Sequence, residues 1–365
     1  MRTEPINSQA GDSAGSKAGY LKIAAIAHKV PSTLLLNDGI IALLRTQNQR
    51  RFSPETLDAL ESRTRRYLAA AGTEVRYCTS RQEKPIDLVA DAARAALTRA
   101  EIDPDGIDFV IYAGVMRGWL EPSTASAIQA AVGLPRATSF DVLDACAGWL
   151  RAVEVAHGFL ASGRYRAGLV VNAECGMYRT LLQAELSSPE ELEWRLATYT
   201  LGEAATATVL TRGDVESEFY VRFFSYPEHH RLCMVPLPYA DEFLQTPIEP
   251  PPTAHRFFAS SGELLRTGAR AIIEAFRADR YLSGRQHDIG FGHSASAKAE
   301  QLIAAQIGLA DIYYPIHARY GNTGSASVPL GMSLAIEEGR LRRGQRVLVV
   351  VGAAGISIGF ASFEF

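Results

Sequence analysis

CAGWLRAVEVAHGFLASGRYRAGLVVNAECG (146–176) reads as an amphipathic helix, a Gly163-Arg164 turn and a Val-rich strand over 167–174. The chain replays this near its end, where NTGSASVPLGMSLAIEEGRLRRGQRVLVVVGAAG (322–355) is again helix, Gly339-Arg340 turn and strand. Gly163 lies 17 residues after Cys146, and Gly339 lies 17 residues after Asn322. Upstream, the strand IDFVIYAG (107–114) corresponds to HDIGFGHSA (287–295). The echo is an internal duplication and predicts two similar halves packed together.

Outward from these segments, short apolar runs alternate with helical stretches. LKIAAIAHKV (21–30) is a strand, and helices are expected over 33–48, 54–70, 85–102 and 124–133. Strand–helix alternation implies crossover connections, an α/β class and a largely parallel sheet. The expected divisions are a flexible tail (1–19), a first half (20–212) carrying Cys146, and a second half (213–365) carrying His293 and Asn322. Residues 177–196 read as a helical insertion. The Pro-rich, aromatic stretch 225–257 reads as a loop shaping a substrate site.

The 365 residues carry 37 Lys and Arg against 40 Asp and Glu, a net charge of −3, which argues against a nucleic-acid footprint. No run of eighteen apolar residues is present, and the polar first residues resemble neither signal nor anchor, so a cytoplasmic protein is expected. Four cysteines without a C-x-x-C spacing suggest neither a disulfide framework nor zinc, and no metal or redox cofactor is implied.

Cys146 is the leading chemical candidate. It opens a helix, where the macrodipole and unpaired backbone N–H groups would stabilise a thiolate and could hold an oxyanion. Cys78, Cys175 and Cys233 are expected to serve packing. His293 follows the strand DIGFG, and Asn322 sits in the Gly/Ser-rich turn RYGNTGSAS. Duplicated halves bring strand ends to one centre, so Cys146, His293 and Asn322 could converge. Taken singly, His293 is as well explained as a structural histidine and Asn322 as a helix cap. A rival lies in GHSAS (292–296), which mimics a hydrolase nucleophile elbow with Ser294, Asp311 and His317 in order. Ser296 stands where that sharp turn wants Gly, and the three fall within 24 residues, too close together for that fold. The arginines of RTQNQRR (45–51) and RTRR (63–66) read as solvated helix faces, or as contacts for coenzyme phosphates or an acidic carrier.

DVLDACAGW (141–149) resembles the thiolase superfamily, and within it the β-ketoacyl-acyl-carrier-protein synthase III family of condensing enzymes. The resemblance continues through GTEVR (72–76), LGEAATATVL (201–210), GHSAS (292–296), YGNTGSAS (320–327) and VLVVVGAAGISIGF (347–360). It implies two duplicated βαβαβ-type halves in five α/β/α/β/α layers, as a homodimer. It also implies acyl-CoA or acyl-carrier-protein substrates. By resemblance, Cys146 is the nucleophile that takes an acyl group as a thioester. His293 and Asn322 match the pair that hydrogen-bonds a malonyl thioester during decarboxylation. Arg195 aligns with an arginine near the adenine end of coenzyme A, and Gly352 and Gly355 with the glycine-rich loop beside the nucleophile.

There are departures from the family pattern. Ser296 replaces a family Asn, GEAATA (202–207) replaces a Gly-richer run, Ala353 and Ala354 replace glycines, and 31–71 is unusual. Such drift implies a relative in specialised metabolism. The expected reaction is decarboxylative Claisen condensation. The alternatives are acyl transfer to an oxygen or nitrogen acceptor with His293 as base, and a non-catalytic partner subunit.

Overall fold

The computed structural model describes residues 16–17, 20–177, 183–214, 218–246 and 253–365. The strands in chain order are β1 (Ser16–Lys17), β2 (Lys22–Lys29), β3 (Thr33–Leu36), β4 (Val75–Cys78), β5 (Phe109–Ala113), β6 (Thr138–Val142) and β7 (Ala167–Glu174). They continue as β8 (Ala204–Thr211), β9 (Phe219–Ser225), β10 (Cys233–Met234), β11 (Phe258–Ala259), β12 (Ile289–Gly292), β13 (Arg346–Ala353) and β14 (Ser357–Glu364). The longer helices are α1 (Asn37–Asn48), α2 (Pro54–Ala71), α3 (Pro85–Ala100), α4 (Thr124–Val132), α5 (Gly148–Ala161), α6 (Ser261–Ala278), α7 (Ala297–Gln306) and α8 (Ser327–Glu337).

Two five-stranded sheets run β2-β8-β7-β5-β6 and β1-β9-β14-β13-β12. The sub-order β2-β8-β7-β5 of the first matches β9-β14-β13-β12 of the second, with the same strand directions. Pairing is parallel at β5–β6, β5–β7 and β12–β13 and antiparallel elsewhere, so the sheets are mixed rather than largely parallel.

The strands of each sheet centre are apolar at nearly every position because both faces are covered. Along β5, Phe109, Ile111 and Ala113 face the layer between the sheets, while Val110 and Tyr112 face α3 and α4. Along β13, Val347, Val349 and Val351 face that same middle layer, and Leu348 and Val350 face α6 and α7. The period of two thus sorts one strand between two cores. The middle layer holds α5 and α8, and every residue of α8 from Ser327 to Ala335 is buried. A helix apolar all round belongs between two sheets. The result is the five-layered α/β/α/β/α arrangement.

One further expectation is corrected, and two others fall partly outside the described residues. The helix expected over 33–48 begins only at Asn37, because Thr33–Leu36 pairs antiparallel with Val75–Cys78. Leu34 and Leu36 share one exposed side of that strand, so the leucine run is no helical stripe. The helical insertion expected over 177–196 is partly outside the described residues; what is described is helical in short pieces, 3₁₀ at Pro189–Glu191, α at Leu192–Arg195 and 3₁₀ at Leu196–Thr200. Of the tail expected over 1–19, Ser16–Lys17 pair with β9, and the rest lies outside the described residues.

Candidate active site

Cys146 occupies the middle of a single 3₁₀ turn, Ala145–Ala147, that runs directly into α5. A matching turn, Gly324–Ala326, runs into α8, and the two turns pack against each other. Ser325 is therefore the positional counterpart of Cys146. The spacing to the Gly-Arg turn pointed instead to Asn322, because α8 has 11 residues where α5 has 14.

Buried Glu174 ties the second turn to the loop after β5. Its carboxylate accepts from the backbone N–H groups of Val115 and Met116 at 3.1 Å and from the Ser325 hydroxyl at 2.6 Å. Burial raises the Glu174 carboxyl, and these donors oppose the rise. Sequence reasoning missed this residue. Its signal is a polar pair, Asn172 and Glu174, inside a wholly buried strand.

Asn322 is held by the backbone. Its N–H donates to the Thr200 carbonyl at 2.8 Å, and its own carbonyl accepts from Gly202 N–H at 2.9 Å. Its side-chain Oδ1 accepts from Gly324 N–H at 3.0 Å, which leaves the Nδ2 donors for the cavity that Asn322 lines. His293, just past β12, has its Nδ1 beside the Ser327 hydroxyl at 3.4 Å and bonds the Gly324 backbone. A proton on Nδ1 leaves Nε2 with the lone pair. Burial, with His317 as the next cause, lowers His293 to about 4, so the ring is neutral at pH 7.

Cys146, His293 and Asn322 all line one cavity, so the structure brings the three candidates together. The rest of the wall is mainly apolar: Leu264, Gly268, Ala269 and Ile272 from α6, and Ile303 and Ala304 from α7. The low-pKa thiol expected at a helix N-terminus is not what the site holds. Burial pushes the Cys146 thiol well above its usual range, with Cys233, Glu174 and Asp144 adding to the rise, and its backbone N–H only partly offsets them. The resting pair is a neutral thiol and a neutral imidazole, so any thiolate at this site has to form by proton transfer.

The hydrolase rival is half assembled and sealed. Ser294 is fully buried and its hydroxyl lies 3.4 Å from His317 Nδ1, but Asp311 is exposed. His317 Nδ1 donates to the Ser294 carbonyl at 3.0 Å, and Nε2 therefore accepts from the Thr73 hydroxyl at 2.7 Å. No nitrogen of that ring is left to activate Ser294. The nearest carboxylate is buried Glu300, 4.0 Å from Nδ1, which also accepts from Tyr313 at 2.8 Å.

Arg195 does not reach toward a coenzyme. It is fully buried and donates to the carbonyls of Phe257 at 2.9 Å and Gln183 at 2.8 Å, so it braces the wall. Gly352 lines the cavity, whereas Gly355 lies in a neighbouring cleft with Asp144 and Arg151. Cys78 and Cys175 are buried as packing residues, but Cys233 is half-buried and lines the cavity. Of the clustered arginines, Arg45 pairs with Asp58, Arg51 with Glu185, Arg63 with Glu193 and Arg65 with Asp38. They are solvated helix faces of the kind that contribute little. Among the described residues no helix is long and apolar enough to cross a membrane.

Residues 140–225 match the family model of 3-oxoacyl-[acyl-carrier-protein] synthase III, and residues 280–365 match the model of its C-terminal part. The first match contains Cys146, and the second contains His293 and Asn322. The chain is 26% identical over 345 residues to a β-ketoacyl-[acyl-carrier-protein] synthase III of Streptococcus pneumoniae (strain Hungary19A-6), covering 92% of this chain and 96% of the relative. OleA of Xanthomonas campestris, crystallised with bound lauric acid and lauroyl-CoA, superposes with a TM-score of 0.80 at 25% identity, covering 95% of this chain and 99% of that one. A 3-oxoacyl-(acyl carrier protein) synthase III, FabH, of Xanthomonas oryzae pv. oryzae superposes with a TM-score of 0.80 at 24% identity, covering 96% of this chain and 100% of that one.

Proposed function

The chain is a β-ketoacyl-acyl-carrier-protein synthase III-like condensing enzyme of the thiolase superfamily, and we propose that it joins an acyl group carried on Cys146 to a malonyl-type extender. The observation that carries this reading is the meeting of Cys146, His293 and Asn322 at one mainly apolar cavity.

In the first half-reaction the Cys146 sulfur attacks an acyl thioester. The thiol proton passes through the His293 Nε2 lone pair to the departing thiol, and an acyl-Cys146 thioester remains. In the second, the carbonyl of a malonyl thioester accepts a hydrogen bond from Asn322 Nδ2. As carbon dioxide leaves, the electron pair of the broken C–C bond forms an enolate, and that amide stabilises its oxygen. The enolate carbon attacks the acyl carbonyl, a C–C bond forms, the C–S bond breaks, and the Cys146 thiolate takes a proton from solvent. A dry apolar wall strengthens each of these interactions.

The donor is an acyl-CoA or an acyl-carrier protein, and the apolar wall between α6 and α7 suits a fatty acyl chain. Gly352, at the cavity wall, and Gly355, beside Asp144, would shape the loop next to the nucleophile. The working unit is a homodimer of a soluble, cytoplasmic enzyme. Exposed Trp119, Leu120 and Leu143 near edge strand β6 supply an apolar surface for a second copy.

The test is carbon dioxide release from a malonyl thioester by protein pre-loaded with a panel of acyl-CoAs, each loading verified by intact mass. Cys146-dependent loading followed by Asn322-dependent release is the expected result. Loading without release from malonyl-CoA or malonyl-carrier would sink it. That result would favour acyl transfer to an oxygen or nitrogen acceptor, for which the lone pair on His293 suffices.

A further inference from the structure

Of the four cysteines, two are shut away and two open into the same cavity. Cys78 and Cys175 are 4% and 3% exposed, whereas Cys146 and Cys233 are half-buried and both line the cavity wall. Cys233 belongs to the two-residue strand β10, which pairs with β11 through Cys233–Ala259 and Met234–Phe258. Ala259 lines the cavity too, so β10 and β11 form a patch of its wall. Tyr67 of α2 and Ser261 of α6 line the same cavity, and Cys233 acts on the Tyr67 phenol, which sets Cys233 among α2, α6 and the nucleophile. Cys233 is also the first of the titratable groups that raise the Cys146 thiol, in keeping with the cavity the two side chains share.

We propose that Cys233 is a resolving cysteine: when peroxide oxidises Cys146, the two close an intramolecular Cys146–Cys233 disulfide that reversibly caps the nucleophile. The chemistry balances with hydrogen peroxide as oxidant. The Cys146 sulfur, its proton taken by His293, attacks one peroxide oxygen; the O–O bond breaks, and the sulfenic acid and one water form. The Cys233 sulfur then attacks the sulfenic sulfur. The S–O bond breaks as the S–S bond forms, and the departing hydroxide leaves as water with the Cys233 proton. Two thiols are oxidised, one peroxide is reduced, and two waters are released.

Burial pushes the Cys233 thiol to about 12. It therefore stays protonated at neutral pH and gives up its proton only as the S–S bond forms. Cys146, with His293 lining the same cavity, is the thiol that reacts first. A resolving partner in the cavity diverts the sulfenic acid before a second peroxide carries it to the irreversible sulfinic state.

The experiment exposes the full chain to hydrogen peroxide without reductant, then quenches with iodoacetamide and digests without reduction. In the wild type a linked Cys146–Cys233 peptide is expected, with intact protein two hydrogens lighter and Cys146 alkylation restored by dithiothreitol. In Cys233→Ser the linked peptide is absent and the loss of Cys146 alkylation resists dithiothreitol. Cys78 and Cys175 stay unlabelled in the folded protein and serve as internal controls. Equal, irreversible loss in both proteins, or a wild-type disulfide through Cys78 or Cys175, would overturn the proposal. The wild-type linked peptide decides the matter even where Cys233→Ser folds poorly. All readouts are of mass and alkylation, so the outcome is independent of whether the enzyme decarboxylates a malonyl thioester.

Discussion

The backbone N–H of Gly202 donates to the Asn322 carbonyl at 2.9 Å, and with the Asn322 N–H to Thr200 it forms a two-bond bridge between the loop before β8 and the loop before α8. The chains cross there with no room to spare. A Cβ on Gly202 would overlap the Tyr320 carbonyl oxygen, and one on Gly321 would lie 2.5 Å from the Thr200 oxygen. The amide of Asn322 is thus aimed by two glycines that can come this close.

Gly202→Ala should destabilise the protein by about 1–3 kcal/mol, the range for overpacking, with the backbone as the part that must move. In the protein that still folds, Cys146 should load acyl groups near the wild-type rate while carbon dioxide release falls by ~10-fold or more. Intact-mass loading and release assays run side by side separate the two. Equal loss of both activities would mean that the crossing does more than place Asn322.

Asn322→Ala removes the amide donor itself. Release of carbon dioxide from a malonyl thioester should fall by about 10²–10³, the usual effect of losing one oxyanion donor. Acylation of Cys146 should persist, since that step uses His293.

Ser294→Ala tests the sealed serine. Neither loading of Cys146 nor condensation should change by more than ~3-fold, because Ser294 is fully buried and does not line the cavity. Acyl adducts mapped to Ser294 in the wild type would revive the hydrolase reading.

Gly268 lies on the cavity face of α6, and a Cβ there meets nothing within 4 Å. Gly268→Leu should fold as well as the parent or gain about 0.5–1 kcal/mol from helix propensity. Loading from long-chain acyl-CoAs should drop ~10-fold or more while acetyl loading is spared. A uniform effect across chain lengths would place the acyl chain elsewhere.

The pH dependence of stability has two limbs. Burial lowers His287, His293 and His317 to about 4 from 6.5, so the unfolded chain binds more protons between those values. Their contribution is complete above pH 6.5 and is lost as pH falls toward 4. Burial raises Glu300 to about 8 from 4.5, so the folded state keeps a proton that the unfolded chain releases. That contribution is complete below pH 4.5 and is lost as pH rises through 8. The urea midpoint should therefore be highest at about pH 6.5 and decline on both sides. Glu300→Gln, which keeps the shape and a partner for Tyr313, should remove the decline between pH 6.5 and 8 and steepen the rise between pH 4.5 and 6.5, where Glu300 opposes the three histidines. An unchanged alkaline limb in the variant would assign it to other groups.

Much of this was legible in the chain because local rules had little to contend with. The strand at 167–174 and the helix beginning at Pro85 follow from apolar period and Pro placement, and the replay of helix, Gly-Arg turn and strand exposed the duplication. Cys146 stood out because it opens a helix after a short strand-like segment, and His293 because it follows the apolar strand DIGFG. Other features depend on partners far along the chain. Thr33–Leu36 is a strand only because Val75–Cys78 pairs with it. Ser325 became the counterpart of Cys146 because α8 is shorter than α5, a difference that spacing to the next turn conceals.

Charge and exposure depended most on tertiary structure. Position at a helix start argued for a Cys146 thiolate, but burial among Cys233, Glu174 and Asp144 outweighs the local dipole. Arg195 looked free to meet a coenzyme until its carbonyl partners at Phe257 and Gln183 came into view. By itself, then, the sequence determined the α/β class, the two-halved plan and the candidates for the chemistry, because apolar periodicity and residue type are local. Tertiary structure alone decided which groups are charged, which are spent on bracing and which two cysteines share a cavity. Desolvation and proximity arise only when distant segments pack together.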